Sequence, residues 1–62
     1  MNLEYIKKLM YKRDISIYKL SKMTLISESH LGKLINGKID NPRIKTVKAI
    51  AKALDVDINE IV

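Results

Sequence analysis

The chain of 62 residues contains no cysteine, one histidine, one proline and two glycines. Without cysteine there is no disulfide to staple a small fold, no thiolate metal site and no thiol nucleophile. The lone His30 builds no zinc site unless several carboxylates help it. No apolar run approaches the roughly 20 residues that span a bilayer, and the amino terminus lacks the basic start and apolar block of a signal peptide. The expectation is a soluble, cytoplasmic protein of one domain, residues 1–62, with no metal, cofactor or membrane to bind. A core this small is marginal unless its elements are regular and well packed.

What is present is basic charge, unevenly placed. The formal net charge is +5, from 12 Lys and Arg against 7 Asp and Glu. Asp55, Asp57 and Glu60 gather in the tail DVDINEIV, so the body from Met1 to Leu54 sets 12 basic residues against 4 acidic ones, a surplus of +8. Such a body favours a polyanion through counterion release and steering, with nucleic acid ahead of an anionic membrane surface. Its rival is plain solubility.

Apolar residues recur at spacings of three and four, which predicts an all-helical chain. Leu3, Ile6, Leu9 and Met10 form the stripe of a first helix that should fail near Arg13 and Asp14. Ser16 is the next N-cap candidate, and Leu20 with Met23 or Thr24 gives a short second helix. Ser27 opens a third, SESHLGKLI, which Asn36 and Gly37 stop because Gly accepts the left-handed conformation cheaply. Pro42 suits a turn or a first helical position, and Ile44, Val47, Ile50, Ala51 and Leu54 trace a fourth stripe. Asp57 and Glu60 match a capping box, so DINEIV should form a last turn that returns Ile58, Ile61 and Val62 to the core.

The third helix carries the functional signal. On a helical wheel Leu31, Leu34 and Ile35 share one side, while Ser29, Lys33 and Asn36 fall opposite, with Gly32 and His30 on the flanks and Glu28 at the leading end. A recognition helix needs this arrangement, one face anchored in a core and the other offering donors and acceptors to a groove about 12 Å wide. An ordinary amphipathic surface helix has the same wheel. The second and third helices are, however, separated by about three residues, the spacing of a helix-turn-helix.

The ordered run LSKMTLISESHLGKLINGKIDNPRIKTVKAIAKALDV, Leu20 to Val56, resembles the phage-repressor and Cro type of helix-turn-helix domain, the Xre-like family, and the resemblance covers nearly the whole chain. Leu20 and Ser21 match its Leu-Ala pair, Ile26 and Ser27 its Val-Ser, and Leu31 and Leu34 its buried recognition-helix residues. Gly37 matches its loop glycine, AKALDV its fourth helix and DINEIV its fifth. The implied fold is a compact all-α bundle of five short helices, like the lambda-repressor DNA-binding domain.

Two departures are informative. Leu25 stands where the family usually has Gly, chosen for positive φ, so either the turn is strained by on the order of 1 kcal/mol or its geometry differs. Met10 and Ile35 stand where the family commonly has a buried Arg–Glu pair. Losing one charge strands the other, whereas replacing both can be neutral, so the joint exchange predicts that Met10 packs against Ile35.

By the resemblance, Glu28, Ser29 and Lys33 occupy positions that touch base edges. Lys33 can donate to guanine O6 and N7, Ser29 can pair with several bases, and Glu28 can accept from cytosine N4 or simply favour the positive helix end. The family clamps phosphates with the amino ends of the second, third and fourth helices, which lie here near Ser16 and Ile17, Ser27, and Asn41 to Arg43. Ile17 stands where a Gln is frequent and retains only its backbone N–H for that role. Arg43 and Lys38 are the side-chain clamps, Asn41 either contacts phosphate or caps the fourth helix, and His30 either contacts DNA or covers the helix end. Gly32 either admits a backbone or is a tolerated flaw. The lysines of the first and fourth helices are expected to be solvated faces, and Tyr5, Tyr11 and Tyr18 amphipathic packing.

The expected function is sequence-specific binding of double-stranded DNA as a repressor or other transcription regulator of phage or mobile-element type. One copy offers few base contacts, so a homodimer on an inverted repeat is expected. The family builds that dimer from the loop after the third helix and the last helix, which points to Ile39, Ile61 and Val62, with core packing as their rival role and the favoured one for Ile58. The competing reading is a protein-interaction module of the same fold, an antitoxin or antirepressor. No Ser-His-Asp set, Gly-rich phosphate loop or metal cluster suggests an enzyme. No effector domain is expected after Val62, so control would fall to concentration, a regulatory protein partner or proteolysis.

Overall fold

A computed structural model describes all residues, 1–62. Five helices follow in order: α1 (Leu3–Lys12), α2 (Ile17–Thr24), α3 (Glu28–Ile35), α4 (Ile44–Ala53) and α5 (Ile58–Ile61). There is no strand. α2 packs on α3 and α4, α4 on α5, and α1 on α3 and α5. The expected five-helix bundle is the fold.

The helix starts follow from their caps. The side chains of Asn2, Ser16 and Ser27 accept hydrogen bonds from the N–H groups of Tyr5, Lys19 and His30, each at 3.0–3.1 Å. Asp57 and Glu60 close the capping box: the Glu60 carboxylate accepts from the Asp57 N–H at 2.9 Å and the Asp57 carboxylate from the Asn59 N–H at 2.9 Å. α4 differs. Its N-cap is Arg43, with no side-chain bond, and Pro42 follows a bend at Asp40 and Asn41, so it sits neither in a turn nor at the first helical position. Asn41 is therefore not the cap of this helix.

The helix ends share one device. α1, α3 and α4 each close with a paired Schellman bond set: Asp14 to Tyr11 and Ile15 to Met10, Gly37 to Leu34 and Lys38 to Lys33, Asp55 to Lys52 and Val56 to Ala51. The residue in the left-handed region is Asp14, Gly37 or Asp55, and in α2 it is Leu25 at φ 63°. Asp tolerates that region better than Leu, whose Cβ meets the following carbonyl.

One core of twelve buried residues, all apolar, unites the five helices, with Leu20, Leu31, Leu34, Ile50, Leu54, Ile6 and Ile61 fully enclosed. Met10 and Ile35 are both in it, on helices α1 and α3, which pack together, the placement that a contact between the two side chains requires. The chain termini meet there as well, the Asn2 N–H donating to the Ile61 carbonyl at 2.6 Å.

Three expectations about packing are corrected. Ile44 belongs to the fourth stripe by spacing but is exposed, because side chains lean toward the helix amino end and Ile44, in the first turn, reaches past the core. Val62 is also exposed, since a residue next to the enclosed Ile61 points some 100° away around the helix. Tyr11 is solvated on all sides and does not pack. Met23 is exposed as well, and the half-buried Thr24 closes α2 instead, its hydroxyl donating to the Leu20 carbonyl at 2.8 Å.

Candidate nucleic-acid interface

α3 is anchored through Leu31, Leu34 and Ile35, all buried. Glu28, Ser29, Lys33 and Asn36 are exposed, so the wheel drawn from sequence is the one the fold presents. The helix is eight residues, about 12 Å, long. At its middle Gly32 is half-buried, yet a Cβ built on it would meet nothing within 4 Å. Nothing inside the fold asks for glycine there.

The turn before α3 holds the helix at a set angle. The Ser21 hydroxyl donates to the Ile26 carbonyl at 2.6 Å, and the Ile26 N–H donates to the Thr24 hydroxyl at 3.3 Å. Ser21 thus ties down the turn where the family has an alanine, a role that sequence comparison gave no sign of. Leu25 adopts the left-handed geometry that Gly supplies elsewhere, so the turn is of the usual kind and bears the strain.

Three helix amino ends, those of α2, α3 and α4, leave backbone amides open. In α2 and α3 the cap serine accepts from the third amide, and the first two amides, those of Ile17 and Tyr18 and of Glu28 and Ser29, have no acceptor within their helix. In α4, without a side-chain cap, the first three amides are open. Each such end attracts an anion. Ser16, Ser27, Lys38, Asn41 and Arg43 are all exposed, while Ile17 is half-buried against the core with only its backbone on offer.

The structure brings His30, Asn41 and Arg43 together around a hollow of about 360 Å³, with Ile39 and Thr46 also at its wall. The backbone N–H of His30 donates to the Ser27 hydroxyl at 3.1 Å, and the exposed His30 lines that hollow. Asn41 and Pro42 also border a second cleft of about 210 Å³, which the exposed Ile44 and Val62 share with Met1, Asp40 and Val47. Of the three expected dimer residues, Val62 lies on this surface, Ile39 is half-buried, and Ile61 is enclosed and has no side-chain surface to offer a partner. Ile44 was hidden from sequence reasoning because its spacing is that of a core residue.

The model of the Cro/C1-type HTH DNA-binding domain matches residues 5–62. The chain belongs to this family. It is 43% identical over 58 residues to an SPbeta prophage-derived uncharacterized HTH-type transcriptional regulator, YopO, of Bacillus subtilis (strain 168), an alignment that takes in 94% of this chain and 81% of the relative. No solved structure matches the chain. As a Cro/C1-type domain it is of a DNA-binding transcriptional regulator type. No helix is long and apolar enough to cross a membrane.

Proposed function

We propose that this Cro/C1-type domain is a sequence-specific repressor that reads an inverted-repeat operator by laying α3 in the major groove. The observation that carries this is α3 itself, buried along Leu31, Leu34 and Ile35 and free along Glu28, Ser29, Gly32 and Lys33. Lys33 and Ser29 read base edges, with Glu28 accepting from cytosine at the leading end. The open amides beside Ser16, Ile17 and Ser27 hold phosphates on one side, and those of α4 with Arg43, Asn41, His30 and Lys38 hold them on the other.

The longest dimension of the protein is 26 Å, less than the 34–36 Å between successive major grooves on one face of DNA. One copy covers one half-site. The second half-site calls for a second copy, and the exposed apolar pair Ile44 and Val62 is the surface we assign to that two-fold contact, while Ile39 lines the neighbouring hollow. The repressor of a prophage is the corresponding role in the cell, in keeping with the prophage origin of the YopO relative.

Selection from random duplexes, followed by sequencing, is the test. An inverted repeat is expected, and Lys33→Ala is expected to relax preference at one position of each half-site at a cost of about 1–3 kcal/mol. Enrichment of no motif, or a preference that Lys33→Ala leaves intact, would refute the reading.

Gly32→Ala supplies a second test because its two effects have opposite signs. The new methyl meets nothing inside the protein, so the helix should gain up to about 1 kcal/mol of stability by thermal melting. If α3 enters the groove, the same methyl crowds the duplex and affinity should fall. A variant that melts higher and binds DNA as tightly as before would remove Gly32 from the interface.

A further inference from the structure

Leu25 combines a strained backbone with an exposed apolar side chain, and Met23 two residues before it is exposed as well. Leu25 holds φ 63°, a region costly for a side chain with Cβ, and its large apolar side chain is 92% exposed. Neither penalty is offset by packing, because the side chain lies outside the core. Strain that no packing repays marks Leu25 as a position to test for a contact outside its own fold.

The surroundings say what kind of contact. Between the end of α2 and the outer face of α4 run two abutting hollows, of about 490 and 410 Å³, that share Thr24 and Ala49. Their floor is made of small residues, Ala49 and Ala53, and Met23 and Leu25 stand exposed along the α2 side. Lys45 and Lys52 mark the two ends on α4, seven residues and about 10 Å apart, the rise of two helical turns. No acidic residue lines either hollow.

We infer that this groove docks an acidic amphipathic helix of another protein, its apolar residues on Met23 and Leu25 and two carboxylates seven residues apart on Lys45 and Lys52. A helix laid between helices is an established mode of recognition, and here the groove has the length of two turns and a basic end at each. A second copy of the chain fits less well. Its acidic segment already spends Asp57 and Glu60 on the capping box, and two copies each carry +5. Duplex DNA would satisfy the two lysines but offers Met23 and Leu25 little apolar surface beyond thymine methyls.

Thr46 lines both this groove and the hollow of His30, Asn41 and Arg43. Carboxylates bound at Lys45 therefore lie beside the place where phosphates are proposed to sit, and the two anions disfavour each other. The docked helix would act as an antirepressor, and by linkage DNA would expel it to the same degree. This regulatory half rests on the proposed DNA-reading function; the docking half does not.

The experiment is a yeast-displayed library of random 16-residue segments sorted against the intact protein. Expected are enriched segments with acidic residues seven apart and Leu, Ile or Met between them. A synthetic peptide of the enriched sequence should lose about tenfold or more in affinity for Leu25→Gly, and likewise for Lys45→Glu with Lys52→Glu. Leu25→Gly relieves the left-handed strain and should melt above the wild type, so its lost binding cannot be unfolding. Saturating peptide should weaken binding to a 20-bp duplex at low salt about tenfold.

No enriched class, a basic or uncharged consensus, or binding indifferent to Leu25→Gly would overturn the docking. Concentration-dependent self-association abolished by Leu25→Gly would overturn it too, by giving the groove to a second copy. Docking with unchanged duplex affinity would overturn the antirepressor role. Failure to find any operator, with peptide binding as described, would refute the function proposed above and leave the docking standing.

Discussion

Ile35→Glu alone should unfold much of the protein at 25 °C, and the same substitution in a Met10→Arg background should fold again. Ile35 and Met10 are 4% and 7% exposed, on α3 and α1, which pack together. A glutamate at 35 would be a buried carboxylate with no partner, at a cost of roughly 3–5 kcal/mol. A domain of 62 residues has roughly 3–9 kcal/mol of stability in all, at the usual value per residue. One stranded charge is therefore enough to consume most of it.

Met10→Arg alone should do less damage, because the arginine stem is apolar and its head can reach for solvent. Together the two would restore the ion pair that this family commonly places between its first and third helices, each charge relieving the other's desolvation. Urea denaturation of the four proteins, taken as a double-mutant cycle, should give a coupling of about 2 kcal/mol or more. Additive losses would mean that the two positions do not face each other.

Affinity for the selected duplex should fall roughly 150-fold between 50 and 200 mM salt. That figure follows from two charged phosphate clamps per copy, Lys38 and Arg43, hence four in a dimer, at a slope of about 0.9 per phosphate neutralised. Lys38→Ala and Arg43→Ala should each reduce the slope by about two, since each removes one clamp from both copies. Lys7, Lys8 and Lys12 lie exposed on α1 and carry one positive charge more than that pair, yet as a solvated face they should leave the slope alone when replaced. The opposite pattern would place the phosphates against α1 and displace the amino ends of α2, α3 and α4 from their proposed role.

The elements were legible because their boundaries are written in single residues. Ser16 and Ser27 cap the helices they were expected to cap, Gly37 takes the left-handed position after α3, and Asp57 with Glu60 closes the capping box. These are local interactions spanning three or four residues, and a chain with such a small core has little tertiary force with which to override them. Leu31, Leu34 and Ile35 face inward for an equally local reason, the period of the helix.

Errors arose where the period continues but the neighbours do not. Ile44 and Val62 are each one step beyond the reach of the core, and no spacing rule records where a core ends. Ile61 had been allowed a place in a dimer contact and is enclosed, since the short α5 folds back on α1 and α4. Asn41 is the residue type of a cap, but the chain bends at Asp40 and Asn41 and only Arg43, two residues on, caps the helix.

The sequence by itself determined the helices, their caps and the family, because each depends on residues near one another in the chain or on their ordered spacing. Only the tertiary structure decided what is left uncovered. It gathered His30 with Asn41 and Arg43, left Gly32 with open space above it, and set Leu25 in water beside the lysines of α4. Exposure is a property of what packs against a residue, and in this protein those neighbours come from helices distant in the chain.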